Sequence, residues 1–281
     1  MARNLNRRYF LGTVAKGSAA IAVFGTAMVA CSDDDGGAGQ FGDPLPEGSS
    51  TTSLPDTTAA TTDTTAAPTT TTAATSGGAG PTTLERVSLG FVSAYVLMRN
   101  GEAAIVDTGV PGSEGQIEAG LGALGLGWDD VGHVILTHLH GDHIGSLPAV
   151  LGAAAGATGY AGEADIPGIA SPRPLTPLGD GDRVFDLEII ATPGHTPGHV
   201  AVLDPVGGIL VVGDAMNGGD AMGGQAGTVA GANPQFTPDL VAADDSIRKL
   251  AAFDFDAIYF GHGEPVLANA SQLVVDFAAA L

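Results

Sequence analysis

Apolar and polar positions divide this chain of 281 residues into two unlike parts. From residue 84 onward, short apolar runs alternate with stretches whose apolar residues recur every three to four positions. The runs near 86–99, 102–107, 133–137, 187–192, 199–204, 208–213 and 256–260 read as strands. Helices are predicted near 113–125, with Ile117, Leu121 and Leu124 on its apolar side, near 144–154, from 238 to 252 and near 269–280. Thr237-Pro238 is a good start for the third, with threonine as N-cap and proline in the first turn. Leu240, Ala243, Ile247 and Leu250 then line one face of it. Alternating strands and helices place residues 84–281 in the α/β class, and 198 residues suit one domain with a full core.

The residues before 84 follow another logic. Asn6-Arg7-Arg8-Tyr9-Phe10-Leu11-Gly12 resembles a twin-arginine export signal. A mild apolar stretch from about Gly17 to Ala30 follows, too short and too rich in glycine and alanine for a spanning helix. It ends at Met28-Val29-Ala30-Cys31, which resembles the lipobox of bacterial lipoproteins, with methionine in place of the more usual leucine. Cys31 is the single cysteine, and acylation accounts for a lone thiol in an exported protein. Residues 1–31 are therefore expected to act as a lipoprotein signal, and lipid on Cys31 to anchor the protein to the outer face of a bacterial cell membrane. Residues 32–83, rich in Thr, Ala, Pro and Asp, have too little to bury to offset the entropy of ordering and read as a disordered linker.

Chemistry concentrates in Thr137-His138-Leu139-His140-Gly141-Asp142-His143. Three imidazoles and a carboxylate so close in sequence cannot all belong to an apolar core, where each needs its own polar partner. Imidazole and carboxylate are ligands for borderline divalent metals such as zinc. Val134-Ile135-Leu136 leads into the cluster, so its histidines sit where a buried strand ends. His138 and His140, two apart, can point the same way. Asp142 and His143 follow Gly141, where the backbone can bend and present them to an adjacent point. That spacing predicts two neighbouring metals. Downstream, His195, Asp214 and His262 each lie just past an apolar run, where open α/β sheets gather their ligands. His133 reads as a structural hydrogen-bonding residue at a strand edge, and His199 as a residue that supports the site or fixes its loop.

In the order of these motifs, His-x-His-x-Asp-His and then His, Asp and His, the chain resembles the metallo-β-lactamase superfamily of metallohydrolases. The likeness covers roughly 84–281 and includes Ala104-Ile105-Val106-Asp107-Thr108-Gly109. It implies an αββα sandwich. It also implies that His138, His140 and His195 hold one metal, that Asp142, His143 and His262 hold a second, and that Asp214 bridges them. Asp107 then supports the site from behind. The implied cofactors are two divalent ions, zinc before manganese or iron. At about 3.5–4 Å apart they share a water, lower its pKa and polarise the bound substrate. Asp142 would accept a hydrogen bond from the bridging hydroxide and orient it. Hydrolysis is the expected reaction, with no serine or cysteine nucleophile. The twin-arginine route carries folded proteins, so metal loading would precede export.

The formal charge of −21 becomes −25 once residues 1–30 are removed, since they carry Arg3, Arg7, Arg8 and Lys16 and no acid. Such a surface repels phosphate backbones, so no nucleic-acid partner is expected. The expected partner is a small molecule: an ester, lactone or thioester. β-Lactamases of the family usually carry cysteine or serine where this chain has Asp214. Glyoxalase II enzymes add a basic C-terminal region, whereas residues 263–281 contain no Lys or Arg. Lactonases often place a tyrosine soon after the bridging aspartate, where this chain has Ala215-Met216-Asn217. The alternatives are a β-lactamase, a mononuclear iron enzyme of the persulfide dioxygenase type, and a non-catalytic zinc-holding lipoprotein. The glycine-rich stretch from Met216 to Phe236 is expected to pass over the mouth of the site, and Arg173 and Arg183 to be solvated surface charges.

Overall fold

The computed structural model describes residues 80–281. The export signal, Cys31 and the linker as far as residue 79 lie outside the described residues. In chain order the elements are β1 (Thr83–Ser88), β2 (Ser93–Arg99), β3 (Glu102–Val106), α1 (Glu114–Ala123), β4 (Val131–Leu136), α2 (Gly141–Ile144), α3 (Leu147–Ala153), β5 (Thr158–Gly162), β6 (Thr176–Leu178) and β7 (Arg183–Val184). There follow β8 (Leu187–Ala191), β9 (Val200–Asp204), β10 (Ile209–Val211), β11 (Met216–Gly218), β12 (Val229–Gly231), α4 (Leu240–Leu250), β13 (Ala257–Tyr259) and α5 (Ala270–Ala278). One sheet runs β1-β2-β3-β4-β5-β6, antiparallel as far as β3 and parallel beyond it. A second runs β13-β10-β9-β8-β7, and β11 and β12 make a separate two-stranded ribbon.

Three apolar clusters show how the layers stack. Alternate strand residues face opposite sides of a sheet. On β2 and β3, Ala94, Val96, Ala103 and Ile105 pack with Ile117 and Leu121 of α1 and with Leu147 and Val150 of α3. Their neighbours Tyr95, Leu97, Ala104 and Val106 meet Leu187, Ile189, Val200 and Val202 of the second sheet. The far face of that sheet, with Leu203, Leu210 and Ile258, is covered by Ile247 and Leu250 of α4 and Val274 of α5. The order is helix, sheet, sheet, helix: the expected αββα sandwich.

Several boundaries differ from the sequence reading. The run 86–99 is two strands, broken by a turn in which Gly90 takes φ 89°. The helix expected near 144–154 is two pieces, α2 and α3, parted at Gly145 and Ser146. Strands β5, β6 and β7 and the β11–β12 ribbon carry too short an apolar signal to have been read. Helix α4 is capped by Asp239, whose side chain accepts from the Ala242 N–H at 2.9 Å, and not by Thr237. The Thr237 hydroxyl donates instead to the Asn233 carbonyl at 2.7 Å. The described elements begin slightly before residue 84. β1 starts at Thr83, and Thr82 donates to Asp204 through both its N–H and its hydroxyl.

Asp204 belongs to a buried knot that closes one end of the sandwich. Arg99 is 5% exposed and Asp204 fully buried, with Nη2 and Oδ1 3.3 Å apart. Arg99 also donates to the carbonyls of Gly80 and Phe185 and lies 5.2 Å from the centre of the Phe185 ring. Phe185 and Asp186 form the two-residue turn joining β7 to β8, and both have positive φ, at 56° and 58°. Such a turn favours Asn-Gly, so here the guanidinium holds a strained backbone in place. Asp204→Ala should leave the Arg99 charge buried without its carboxylate. Urea denaturation should show a loss of about 3 kcal/mol, in the range for breaking one partner of a buried pair; a loss under about 1 kcal/mol would contradict this account.

Candidate metal centre

Four strand ends build the centre. β4 ends at Leu136, just before Thr137 and His138, and His140 is the N-cap of α2, with φ −69° and ψ 145°. The chain therefore passes from extended to helical at His140. This is the bend the sequence assigned to Gly141, which is the first residue of α2 and has open space around it. His138 and His140 come before the helical turn, Asp142 and His143 from within it. The loop after β8 brings His195, the exit of β10 brings Asp214, and the exit of β13 brings His262. Cross-links hold these ends together: Val200 N–H donates to the Thr137 carbonyl at 2.8 Å and Ser93 N–H to the Gly261 carbonyl at 2.9 Å. Two glycines are required by space. A side chain at Gly261 would run into the Asp214 carboxylate and the His143 ring. At Gly213, with φ 54°, it would meet His199 and Thr137.

All seven expected ligand residues are brought together, in overlapping groups. His138 Nε2 lies 3.1 Å from His140 Nδ1, which lies 2.9 Å from His195 Nε2. A second group is Asp142, His143 and His262, and a third joins His138, His143 and Asp214. Asp214 faces both sides: Oδ1 is 3.4 Å from His143 Nε2, while Oδ2 is 3.2 Å from His262 Nε2 and 3.5 Å from His195 Nε2.

Hydrogen bonds behind the rings decide which nitrogen faces inward. The Thr137 hydroxyl donates to Asp107 Oδ2 at 2.8 Å, so it accepts from His138 Nδ1 at 3.0 Å. His143 Nδ1 donates to the same carboxylate at 2.8 Å, and His262 Nδ1 to the Phe91 carbonyl at 2.7 Å. Thr237, already donating to Asn233, accepts from His195 Nδ1 at 3.1 Å. Each of these rings thus carries a hydrogen on Nδ1 and turns its Nε2 to the centre. Those nitrogens face one another and the carboxylate oxygens. His143 Nε2 and Asp214 Oδ1 are buried with no hydrogen-bond partner. Nitrogens and carboxylate oxygens crowded this way need positive charge among them, as protons or a cation, so the residues fit divalent metal.

Asp107, at φ 62°, also accepts from the Thr137 N–H at 2.7 Å and faces the back of the histidines. Both nitrogens of His199 are committed, Nδ1 to Thr192 at 2.8 Å and Nε2 accepting the Asp214 N–H at 3.1 Å, so it holds the loop and has no lone pair for a metal. His133 contacts the Tyr160 hydroxyl at 3.3 Å and Glu102 at 3.5 Å on β4, away from the centre. Arg183 pairs with Glu188 at the surface. Arg173 departs from its expected role: it donates to the carbonyls of Ala154, Ala155 and Ala157 just past the end of α3.

Sequence reading missed Asp165, Thr237 and Phe91. Asp165 is fully buried and accepts from Leu139 N–H at 3.1 Å, Thr196 Oγ1 at 2.6 Å and Gly198 N–H at 2.7 Å. One carboxylate thereby ties the His138–His140 segment to the His195 loop. No local pattern marks such a residue, because its partners are 26 to 33 positions away.

The two sides of the centre differ in charge state when metal-free. Burial pulls His195 down to about 4, and it also carries His138 well below the ordinary histidine value. These rings are neutral near pH 7. At His262 burial also opposes the charge, but Asp142 and Asp214 outweigh it and carry the ring to about 10. At His143 burial is likewise outweighed, by Asp214 and Asp107, and the ring ends well above its ordinary value. With Nδ1–H already donating, the extra proton sits on Nε2, where a metal would bind. For His262 the folded value exceeds an unfolded value near 6.5. Its contribution to the metal-free fold is therefore full below about pH 6.5 and is lost as pH rises through about 10. Zinc must displace these protons. Calorimetry at pH 8 in buffers of different ionisation enthalpy should show release of about two protons on loading, and affinity that rises with pH; proton-neutral binding would contradict it.

The profile of the Metallo-beta-lactamase superfamily matches residues 87–262. The chain is 31% identical over 201 residues to the probable metallo-hydrolase YflN of Bacillus subtilis (strain 168), an overlap of 58% of this chain and 75% of that protein. It is 33% identical over 171 residues to the hydroxyacylglutathione hydrolase of Alkalilimnicola ehrlichii, where it spans 58% of the relative's length. The fold is similar to the crystal structure of a metallo-beta-lactamase family protein from Thermus thermophilus, with TM-score 0.55, 26% identity, and coverage of 71% of this chain and 78% of that one. Since the profile runs from β1 to His262, the last of the seven converging side chains, this chain belongs to the metallo-beta-lactamase superfamily.

Proposed function

We propose that the chain is a metal-dependent hydrolase that holds two divalent ions, zinc foremost, and cleaves a small ester, lactone or thioester. The observation that carries this reading is the convergence of inward-facing ring nitrogens and carboxylate oxygens, with His143 Nε2 and Asp214 Oδ1 fully buried among them. His138, His140 and His195 would hold one ion and Asp142, His143 and His262 the other, with Asp214 between them. When bound, the ions supply a water of lowered pKa and a Lewis acid for the scissile oxygen. The chain orients the reaction. Asp142 is partly exposed on the cavity wall, and its contact with His262 keeps it ionised, so it can accept a hydrogen bond from the attacking water and orient it. Relatives named as hydroxyacylglutathione hydrolases and a probable metallo-hydrolase support hydrolysis as the reaction class.

Elemental analysis of the zinc-loaded chain should find about two ions per chain, with turnover of at least one ester, lactone or thioester in a parallel screen. Asp142→Ala should lower kcat at least ~100-fold. Undiminished turnover in that variant, or two tightly held ions with no turnover on any ester class, would overturn the reading.

We also propose that the protein is exported folded and metal-loaded and is anchored through lipid on Cys31. The support is Asn6-Arg7-Arg8-Tyr9-Phe10-Leu11-Gly12 followed by Met28-Val29-Ala30-Cys31. The double change Arg7→Lys and Arg8→Lys should leave the protein in the cytoplasm on cell fractionation; normal export of that variant would sink this proposal.

A further inference from the structure

The cavity above the metal-ligating residues has a volume of about 730 Å³, and its outer wall is chemically two-sided. One side is apolar. Phe91 and Phe236 are 65% and 58% exposed, and Met222 is exposed as well. They come from three separate segments, the β1–β2 turn, the turn after β11 and the loop before α4, and all line this cavity. Large apolar side chains left in water and gathered around one opening mark a surface for an apolar ligand. Phe91 is also held in place: its ring stacks on His262 at 5.8 Å with planes 4° apart, while its carbonyl accepts from that ring's Nδ1.

The other side is charged, and its charges are already paired. Arg86 is the one Lys or Arg among the lining residues. Its Nε donates to Ser93 at 3.0 Å, Nη1 to Glu264 at 2.8 Å and Nη2 to the Gly263 carbonyl at 3.1 Å. Asp220 adds a further carboxylate, which accepts from the Glu264 N–H at 3.0 Å. Beyond the metal-facing groups the wall thus carries one cation and two anions. A carboxylate on a substrate, away from its scissile bond, finds no unclaimed cation there and meets Asp220 and Glu264.

We propose that the site takes uncharged esters or lactones with an apolar acyl or alkyl chain, with Phe91, Met222 and Phe236 as the specificity-determining residues, and that it disfavours substrates bearing a remote carboxylate. This rests on the hydrolase reading only in placing the scissile group at the metal-ligating residues.

The test uses binding as well as turnover. Zinc-loaded protein is titrated with alkyl hydroxamates from acetyl to decanoyl, whose head group binds metal, and with dicarboxylic monohydroxamates of matching length. Affinity should rise about threefold per methylene until the apolar wall is covered. Each carboxylate-ended ligand should bind at least ~10-fold more weakly than its methyl-ended counterpart. Phe236→Ala and Met222→Ser, both at exposed positions, should flatten the chain-length dependence. Val206→Ser, an exposed apolar residue between β9 and β10, should leave it unchanged. No dependence on chain length, tighter binding of the carboxylate-ended series, or no binding of any hydroxamate would overturn the proposal. A chain-length dependence without turnover of any ester would uphold this pocket and remove the hydrolase reading. Turnover that favours carboxylate-bearing esters would do the reverse.

Discussion

Five imidazoles and two carboxylates aimed at one small volume repel one another unless positive charge lies among them, and the rest of the structure is arranged to withstand that repulsion. Each inward-facing Nε2 is opposed by a hydrogen bond on the far side of its ring: Asp107 and Thr137 behind His143 and His138, Thr237 behind His195, and the Phe91 carbonyl behind His262. Without those bonds the rings could turn away and relieve the crowding at the cost of the site. Without metal, protons at His143 and His262 would supply part of that positive charge, while burial keeps His138 and His195 neutral.

The sandwich supplies the stiffness this needs. The converging side chains come from the ends of β4, β8, β10 and β13, strands of two different sheets, so the site exists only where the sheets are pressed together. Apolar packing between the sheets provides the pressure. Polar ties at the site end set the alignment that non-directional packing cannot. Asp165 joins the two loops carrying His138, His140 and His195, while Arg99 and Asp204 close another part of the domain. The two knots have similar chemistry and different consequences: one aligns the converging histidines, the other ties Gly80 and Thr82, just before β1, to Arg99 and Asp204.

The cavity wall separates this chain from what its relatives' names alone would imply. The fold belongs to the superfamily, whereas the side chains on the outer cavity wall lie on the β1–β2 turn, on the segment between β11 and α4, and next to His262. There Arg86 is neutralised by Glu264, and aromatic and thioether groups stand open. The stretch Met216–Phe236, expected to pass over the mouth, does line the cavity, but it is built as the ribbon β11–β12 with a short helical turn and not as a plain loop.

The layered fold and the converging histidines and aspartates were legible because their signals are local. Alternating apolar runs mark sheet faces, and histidines just past such runs mark strand ends, both read within about ten residues. The sequence by itself determined which residues carry lone pairs and that they cluster at strand ends. What escaped depends on partners far along the chain. Thr237 reads locally as a helix cap, yet its hydroxyl goes to His195, 42 positions away, and Asp239 caps the helix instead. Asp165 and Phe91 look like ordinary loop residues until the loops meet. Which nitrogen of each histidine faces inward, and which charges on the cavity wall are already paired, were decided by tertiary structure alone, because hydrogen bonds and ion pairs act over about 3 Å in space, whatever the separation in sequence.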